Sequence, residues 1–252
     1  MDLTLRMVLI AVVGVFLASF LDAIAGGGGI ISVPTYLLAG LPMHMALGTN
    51  KISASLGSLA SLGRYIKSGY IDWALAVPSV VMALLGSVGG TRLQLLIPET
   101  YLQYLLLVVL PIVAVIVLRQ RSFRETPGDI ARRRQFLIVL LASLVIGAYD
   151  GFYGPGTGTF LLLIYTGIGQ MDVRTASGNV KIVNFSSGVA SLCTALLYGE
   201  VFWTLGLIAA AASFAGHFVG AGLTIRNGSK IVRPVVVAAL CLLAADVLSG
   251  LF

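Results

Sequence analysis

The chain has 252 residues, 58% hydrophobic and only 10% charged, with mean hydropathy +1.00. A soluble domain carries roughly 25% charged residues, so there is too little polar surface to cover a water-soluble globule, and the bilayer must be the solvent for most of the outer face. The net charge of +6 is not a nucleic-acid signal, because the basic residues gather at segment ends and in one connecting loop, where membrane orientation is set.

Long apolar segments are predicted at 7–25, 46–66, 73–95, 99–118, 135–153, 175–197, 202–225 and 231–251. Each is long enough to cross a ~30 Å hydrocarbon core as a helix. Two shorter apolar pieces, 30–41 and 159–168, each follow a glycine break. At 1.5 Å per residue they reach only about 15–18 Å, and are either half-helices that dip in and return or short crossings. The expected fold is an all-α polytopic membrane protein with eight long transmembrane helices and two short or broken segments.

The two halves carry nearly the same message. Asp22 leads into Ala23-Ile24-Ala25 and Gly26–Gly29, and Asp150 leads into Gly151-Phe152-Tyr153-Gly154-Pro155-Gly156-Thr157-Gly158. The offset is 128 at the aspartates and 130 thereafter, where Gly48, Lys51, Gly69, Trp73, Gly86 and Gly90 match Gly178, Lys181, Gly199, Trp203, Gly216 and Gly220. A duplicated membrane domain with interrupted helices at matching positions is the signature of a secondary transporter. The division is a first repeat at 1–118, a cytoplasmic basic linker at 119–134 and a second repeat at 135–252. The start of the chain imitates a cleavable signal peptide, but residues 7–25 are the counterpart of 135–153, so cleavage is not expected.

Charge separates two arrangements. If the short pieces do not cross, the halves lie parallel, with nine basic residues inside and five outside. If they cross, the halves are inverted, and twelve lie inside against Arg6 and Arg92 outside. The positive-inside bias prefers the inverted arrangement, with parallel halves the alternative. The linker is the one clearly aqueous loop, and it reads as a topology anchor, with contact to anionic lipid or a regulatory role as the alternative.

Glycine lets the backbone leave helical geometry and approach a ligand closely. A helix that begins just after such a break points amide N–H groups and its positive dipole end at the break, which favours an anion there. Two matched breaks therefore point to a binding site, against tight packing or a hinge, with Gly26, Gly27, Gly28, Gly29, Gly154, Gly156, Thr157 and Gly158 as candidates. Asp22 and Asp150 sit just before the breaks. An intramembrane carboxylate is costly and usually functional or paired: each either carries a coupling proton, or caps the exposed N–H groups or pairs with a lysine. Lys51 and Lys181 lie at matching depth and either attract an anionic substrate, neutralise the aspartates, or snorkel to the surface. Asn50, Ser53, Asn179 and Asn184 are nearby groups for oxyanion oxygens.

The small residues Thr49, Ser53, Gly57 and Ser61, and the pairs Gly86/Gly90 and Gly216/Gly220, read as helix-packing faces. Trp73 and Trp203 read as interfacial anchors. His44 and His217 read as satisfied polar residues, with a proton relay as the alternative, and Cys193 and Cys241 as small buried hydrophobes without metal-ligand spacing. HExxH, GxSxG and Walker motifs are absent, so an enzyme or an ATP-driven pump is not expected.

The pattern resembles the sulfite exporter TauE/SafE family of bacterial membrane permeases. The residues that carry the likeness are Gly26–Gly29 with Pro34, Gly40-Leu41-Pro42 with Ala46-Leu47-Gly48-Thr49-Asn50, Gly69-Tyr70-Ile71-Asp72-Trp73, the run from Gly151 to Phe160, and Ala176-Ser177-Gly178-Asn179 with Lys181 and Asn184-Phe185. The resemblance covers essentially the whole chain. It implies a multi-pass plasma-membrane carrier of sulfite, sulfonates or related organosulfur anions, commonly an exporter. The expected function is thus secondary transport of a small organic or inorganic anion driven by the proton-motive force, with an uncoupled anion channel as the alternative. The expected partners are the anion, the lipid bilayer and a coupling proton. A homodimer is compatible with the chain, and no cofactor, metal or nucleic acid is expected.

Overall fold

The computed structural model describes residues 3–102, 104–105, 108, 125–228, 230–231 and 234. Most of the expected segments 99–118 and 231–251, the first part of the linker at 119–124, and Cys241 lie outside the described residues. Among the described residues there are eight principal helices and no strand. They are α1 (Leu5–Ala25), α2 (Gly29–Leu38), α3 (Met43–Lys67), α4 (Trp73–Leu96), α5 (Arg132–Phe152), α6 (Thr157–Gly167), α7 (Val173–Leu197) and α8 (Trp203–Asn227). Every predicted segment inside the described residues is a helix, within a few residues of its expected ends.

The ends follow from local chemistry. Thr4 caps α1 by accepting the Met7 N–H at 3.3 Å. Asp172 caps α7 by accepting the Arg174 and Thr175 N–H groups at 3.1 and 3.0 Å. Such caps satisfy amide groups that the first turn leaves without intrahelical partners. Gly26 ends α1 in the left-handed region at φ 76°, where glycine bears no Cβ penalty.

Among the described residues five helices are long and apolar enough to cross a membrane: residues Leu5–Ile24 of α1, together with α4, α5, α7 and α8. Their outward faces repeat every fourth residue, with Leu5, Leu9, Val13 and Leu17 exposed on α1 and Leu137, Leu141 and Val145 exposed on α5. Against hydrocarbon that is the stable arrangement. α3 is as long as α7 and α8 but less apolar, because it turns buried Thr49, Asn50, Lys51, Ser53, Ser55, Ser58 and Ser61 toward other helices.

Contacts fix the helix directions. Gly216 and Gly220 of α8 lie against the backbone of Phe16 and Phe20, and Gly57 of α3 lies against Ser213, so α1, α3 and α8 run one way. Gly86 and Gly90 of α4 lie against Leu144 and Ala148, and Thr91 bonds Ser191 at 2.9 Å, so α4, α5 and α7 share a direction. The two sets are opposed, because the start of α3 meets the end of α7 and the reverse. Gly48 faces the Glu200 carbonyl, and Gly178 faces the Tyr70 carbonyl. α2 runs back along α1, with Thr35 beside Gly14 and Gly28 beside Asp22. α6 runs back along α5, with Tyr165 bonded to Ser143 and Thr157 to Asp150.

The closest pairs, α1 with α8 and α4 with α5, depend on glycine. A Cβ on Gly90 would sit 1.9 Å from the Ala148 carbonyl oxygen, so the packing reading of the small-residue faces holds. Basic residues collect at one end. Asp72 at the start of α4 pairs with Arg132 at 2.7 Å, Arg174 pairs with Glu125 at 3.5 Å, and Arg64, Lys67 and Arg226 lie in the last turns of α3 and α8 at that end. Arg6 and Arg92 lie at the opposite end. Cys193 corrects the sequence reading: it is exposed, because it falls on the outward side of α7 while Ser187, Ser191 and Thr194 point inward.

Candidate functional site

The two glycine breaks touch each other in the middle of the protein. Gly26 packs directly on Gly158, and the Thr159 N–H donates to the Gly26 carbonyl at 3.0 Å. Gly29 packs on Pro155. A Cβ on Gly26 would lie 2.3 Å from the Gly158 carbonyl carbon, so no other residue fits without moving backbone. Gly154 and Gly156 turn the second break through the left-handed region at φ 96° and 86°.

Each break is held by an ion pair to the other half. Lys51 on α3 donates from Nζ to Asp150 Oδ1 at 3.0 Å and to the Asp150 carbonyl at 2.6 Å. Lys181 on α7 donates to Asp22 Oδ2 at 2.8 Å and to the Asp22 carbonyl. Both lysines are buried, and neither snorkels. Leaving one buried partner of such a pair uncompensated costs about 3–5 kcal/mol, so the pairs lock the four elements together.

The aspartates differ in their remaining partners. Asp150 Oδ1 also accepts from Thr157 at 3.1 Å, and its Oδ2 accepts from Ser187 at 2.5 Å. Asp22 Oδ1 accepts the Gly28 N–H at 3.0 Å, which caps α2. Its Oδ2 has His217 Nε2 of α8 at 3.8 Å. Capping and lysine pairing, the structural alternatives for these carboxylates, therefore both occur.

Between the pairs lies a cavity of about 60 Å³. A water needs about 10–15 Å³ on this measure, so the space suits a handful of heavy atoms. Its wall includes Asp22, Gly26, Gly28, Gly29, Asn50, Lys51, Ser53, Asp150, Gly154, Thr157, Gly158 and Asn184, all singled out in the sequence. Gly27, Gly156, Asn179 and Lys181 are not on it. Lys181 stands behind Asp22 and lines a second, water-sized space of about 10 Å³. Its charge thus meets the cavity only through Asp22, and the expectation that both lysines face one site is corrected. The amide at Gly28 is likewise occupied by Asp22 rather than bare.

Sequence reasoning missed Ser19, Ser32, Ser55, Ser58 and His217, which also line the cavity. Four polar atoms on its wall have no hydrogen-bond partner: Asn50 Oδ1, Ser55 Oγ, Asn184 Oδ1 and His217 Nδ1. A buried polar atom left unpaired costs about 1–3 kcal/mol, so such a cluster marks where a polar ligand fits. His217 is therefore not the satisfied polar residue expected. His44 is, with Nδ1 at 2.5 Å from Gln94 Nε2 and its N–H on Glu99 at 3.2 Å. A signal for His217 was present: it follows Gly216 and precedes Gly220 by three, on the tight face of α8 against α1.

Helices of membrane-spanning length around a small, buried, charged cavity at touching helix breaks define a polytopic membrane protein with a solute-sized interior site. The chain belongs to the sulfite exporter TauE/SafE family, whose model matches residues 10–247. It is similar to a probable membrane transporter protein, ORF9, of Sinorhizobium sp., at 32% identity over 98% of this chain and 95% of that one. It is also similar to a probable membrane transporter protein of Haemophilus influenzae, at 34% identity over 88% and 87% of the two chains. The probable membrane transporter protein YfcA of Escherichia coli K12 is 29% identical over 92% and 86%. No solved structure matches.

Proposed function

We propose that the protein is a secondary transporter of a small anion, with sulfite, a sulfonate or a related organosulfur anion as the substrate class, working in the bacterial plasma membrane by alternating access. The observation that carries this reading is the Lys51 ammonium at the cavity wall. It spends two contacts on Asp150, and an ammonium has three donors. The third, with the unpartnered hydroxyl of Ser55, suits an oxyanion oxygen, and the volume suits one sulfur and three oxygens. The family's description names sulfite, and the relatives' names specify no solute.

Two inverted repeats, 1–118 and 135–252, are the moving units in this reading. The opposed directions of α1 with α5 and of α3 with α7, and the reciprocal contacts of Gly48 and Gly178, support it. Eight long crossings remain part of the same proposal. The basic end is cytoplasmic by the positive-inside bias, which places the 119–134 linker inside.

A thermal-shift series with sulfite, thiosulfate, sulfoacetate, taurine and carboxylate analogues tests the substrate class, since a ligand that binds only the folded state raises its stability. Stabilisation by sulfur oxyanions that is lost in Lys51→Ala is expected. Equal response of the variant would remove Lys51 from the site. Accumulation of the anion against its gradient in proteoliposomes separates a carrier from an uncoupled channel.

A further inference from the structure

The two ion pairs are related by position, but their surroundings are not. One turn before Lys181, Ser177 lines the water-sized space behind Asp22, and its Oγ has no partner. Tyr65, near the end of α3, turns its own unpartnered hydroxyl toward Ser177 and Thr224. On the cavity side, His217 approaches Asp22 and leaves Nδ1 unpartnered. At the offset of 130 the matching positions around Asp150 are Leu47 for Ser177, Ala195 for Tyr65 and Ser87 for His217. Leu47 and Ala195 are buried and apolar, and Ser87 is bonded to the Ser187 carbonyl at 2.6 Å. Polar side chains thus extend from Asp22 through Ser177 to the buried Tyr65 in the direction of the basic end, and two of the three matching positions beside Asp150 are apolar.

Resting on the anion-carrier reading, we infer that the coupling proton is exchanged at Asp22 through Tyr65, Ser177 and the water-sized space, that it binds together with the anion, and that Asp150 is a fixed structural carboxylate. Charge balance supplies the reason. The groups around Asp22 are Lys181 from α7 and His217 from α8, with Lys51 of α3 and Asp150 of α5 across the cavity, while α2 and α6 face it with Gly28 and Gly158. Two ammonium and two carboxylate groups cancel. A singly charged anion alone would leave one net negative charge buried, at a cost of several kcal/mol. A proton added to Asp22 Oδ2 removes one carboxylate charge and restores neutrality.

Asp22 and Asp150 differ in what a proton would meet. On Asp150, Oδ1 is taken by Lys51 and Thr157, and Oδ2 by Ser187. Protonating Asp22 Oδ2 breaks the pair with Lys181 and places a new O–H beside His217 Nε2, an acceptor when the ring is neutral. Tyrosine and serine hydroxyls both donate and accept, so with one water they relay a proton without carrying charge.

The test uses the purified protein in proteoliposomes and methanesulfonate, an anion whose charge does not change with pH near neutrality. Exchange of labelled methanesulfonate at equal concentrations reads the anion site alone. Net uptake with a trapped pH dye, at clamped potential, reads the proton. About one proton entering with each anion is expected, since that stoichiometry keeps the cavity neutral. Asp22→Asn should abolish the proton signal. Ser177→Ala, whose lost hydroxyl hydrogen-bonds to neither ion pair, should slow net proton-coupled uptake by about tenfold while exchange continues. Net methanesulfonate uptake without proton movement in the wild type would overturn the coupling inference and leave the anion carrier standing. Absence of exchange with both methanesulfonate and sulfite would instead overturn the carrier reading, and the inference with it. A wild-type proton ratio in Asp22→Asn, or unchanged proton-coupled uptake in Ser177→Ala, would overturn the assignment of the route.

Discussion

Lys181 Nζ stands 2.8 Å from Asp22 Oδ2, although 159 residues separate the two. The pair ties the first break to the second half of the chain, as Lys51 with Asp150 ties the second break to the first half. Each half is therefore completed by a charge from the other.

Breaking one pair should cost far more than removing it. Lys51→Met leaves Asp150 buried without its cation and is expected to lower stability by about 3–5 kcal/mol. Lys51→Met combined with Asp150→Asn should recover much of that loss. Arg132→Ala breaks a bond of 2.7 Å, but that arginine side chain is 55% exposed, and an exposed pair is worth only about 0–1 kcal/mol. Thermal unfolding in detergent compares the three.

Glycine positions separate packing from mere helix geometry. A Cβ on Gly48 would sit 1.9 Å from the Glu200 carbonyl oxygen, and one on Gly178 would sit 1.9 Å from that of Tyr70. Alanine at either site is expected to destabilise by about 1–3 kcal/mol, the usual cost of overpacking. Gly63 and Gly89 have nothing within 4 Å of an added Cβ, so alanine there should be neutral or stabilising by up to about 1 kcal/mol through helix propensity. The same unfolding measurement decides both.

The helix directions place Lys67 and Arg92 at opposite ends, both exposed. In a background with Cys193 and Cys241 replaced by serine, Lys67→Cys should be protected from a membrane-impermeant maleimide added to intact cells, and Arg92→Cys should react. Labelling of both from the same side would contradict the opposed helix sets.

Much of this was legible in the chain because its signals are local. Glycine runs mark where helices stop, apolar runs of membrane length mark where they cross, the matched aspartates stand within a turn of the breaks, and the matched lysines lie on the long helix that follows each short one. The partners were not legible. Which lysine meets which aspartate is decided by contacts spanning 99 and 159 residues, and either pairing satisfies the same sequence. Helix rotation was the other gap. It turns Cys193 outward, puts Ser55 and Ser58 on the cavity, and places Lys181 behind Asp22 rather than beside Lys51. The difference between the two aspartate sites also needed the structure, since Ser177 and Tyr65 matter only once they face each other.

The most direct test is a structure of the protein with sulfite or methanesulfonate bound, determined by electron cryomicroscopy in lipid nanodiscs. Density for the anion between Gly28 and Gly158, within hydrogen-bonding distance of Lys51 Nζ and the side chains of Asn50, Ser55 or Asn184, is expected. A bound anion outside this cavity, with the Lys51–Asp150 and Lys181–Asp22 pairs undisturbed and the space between them holding only water, would contradict it.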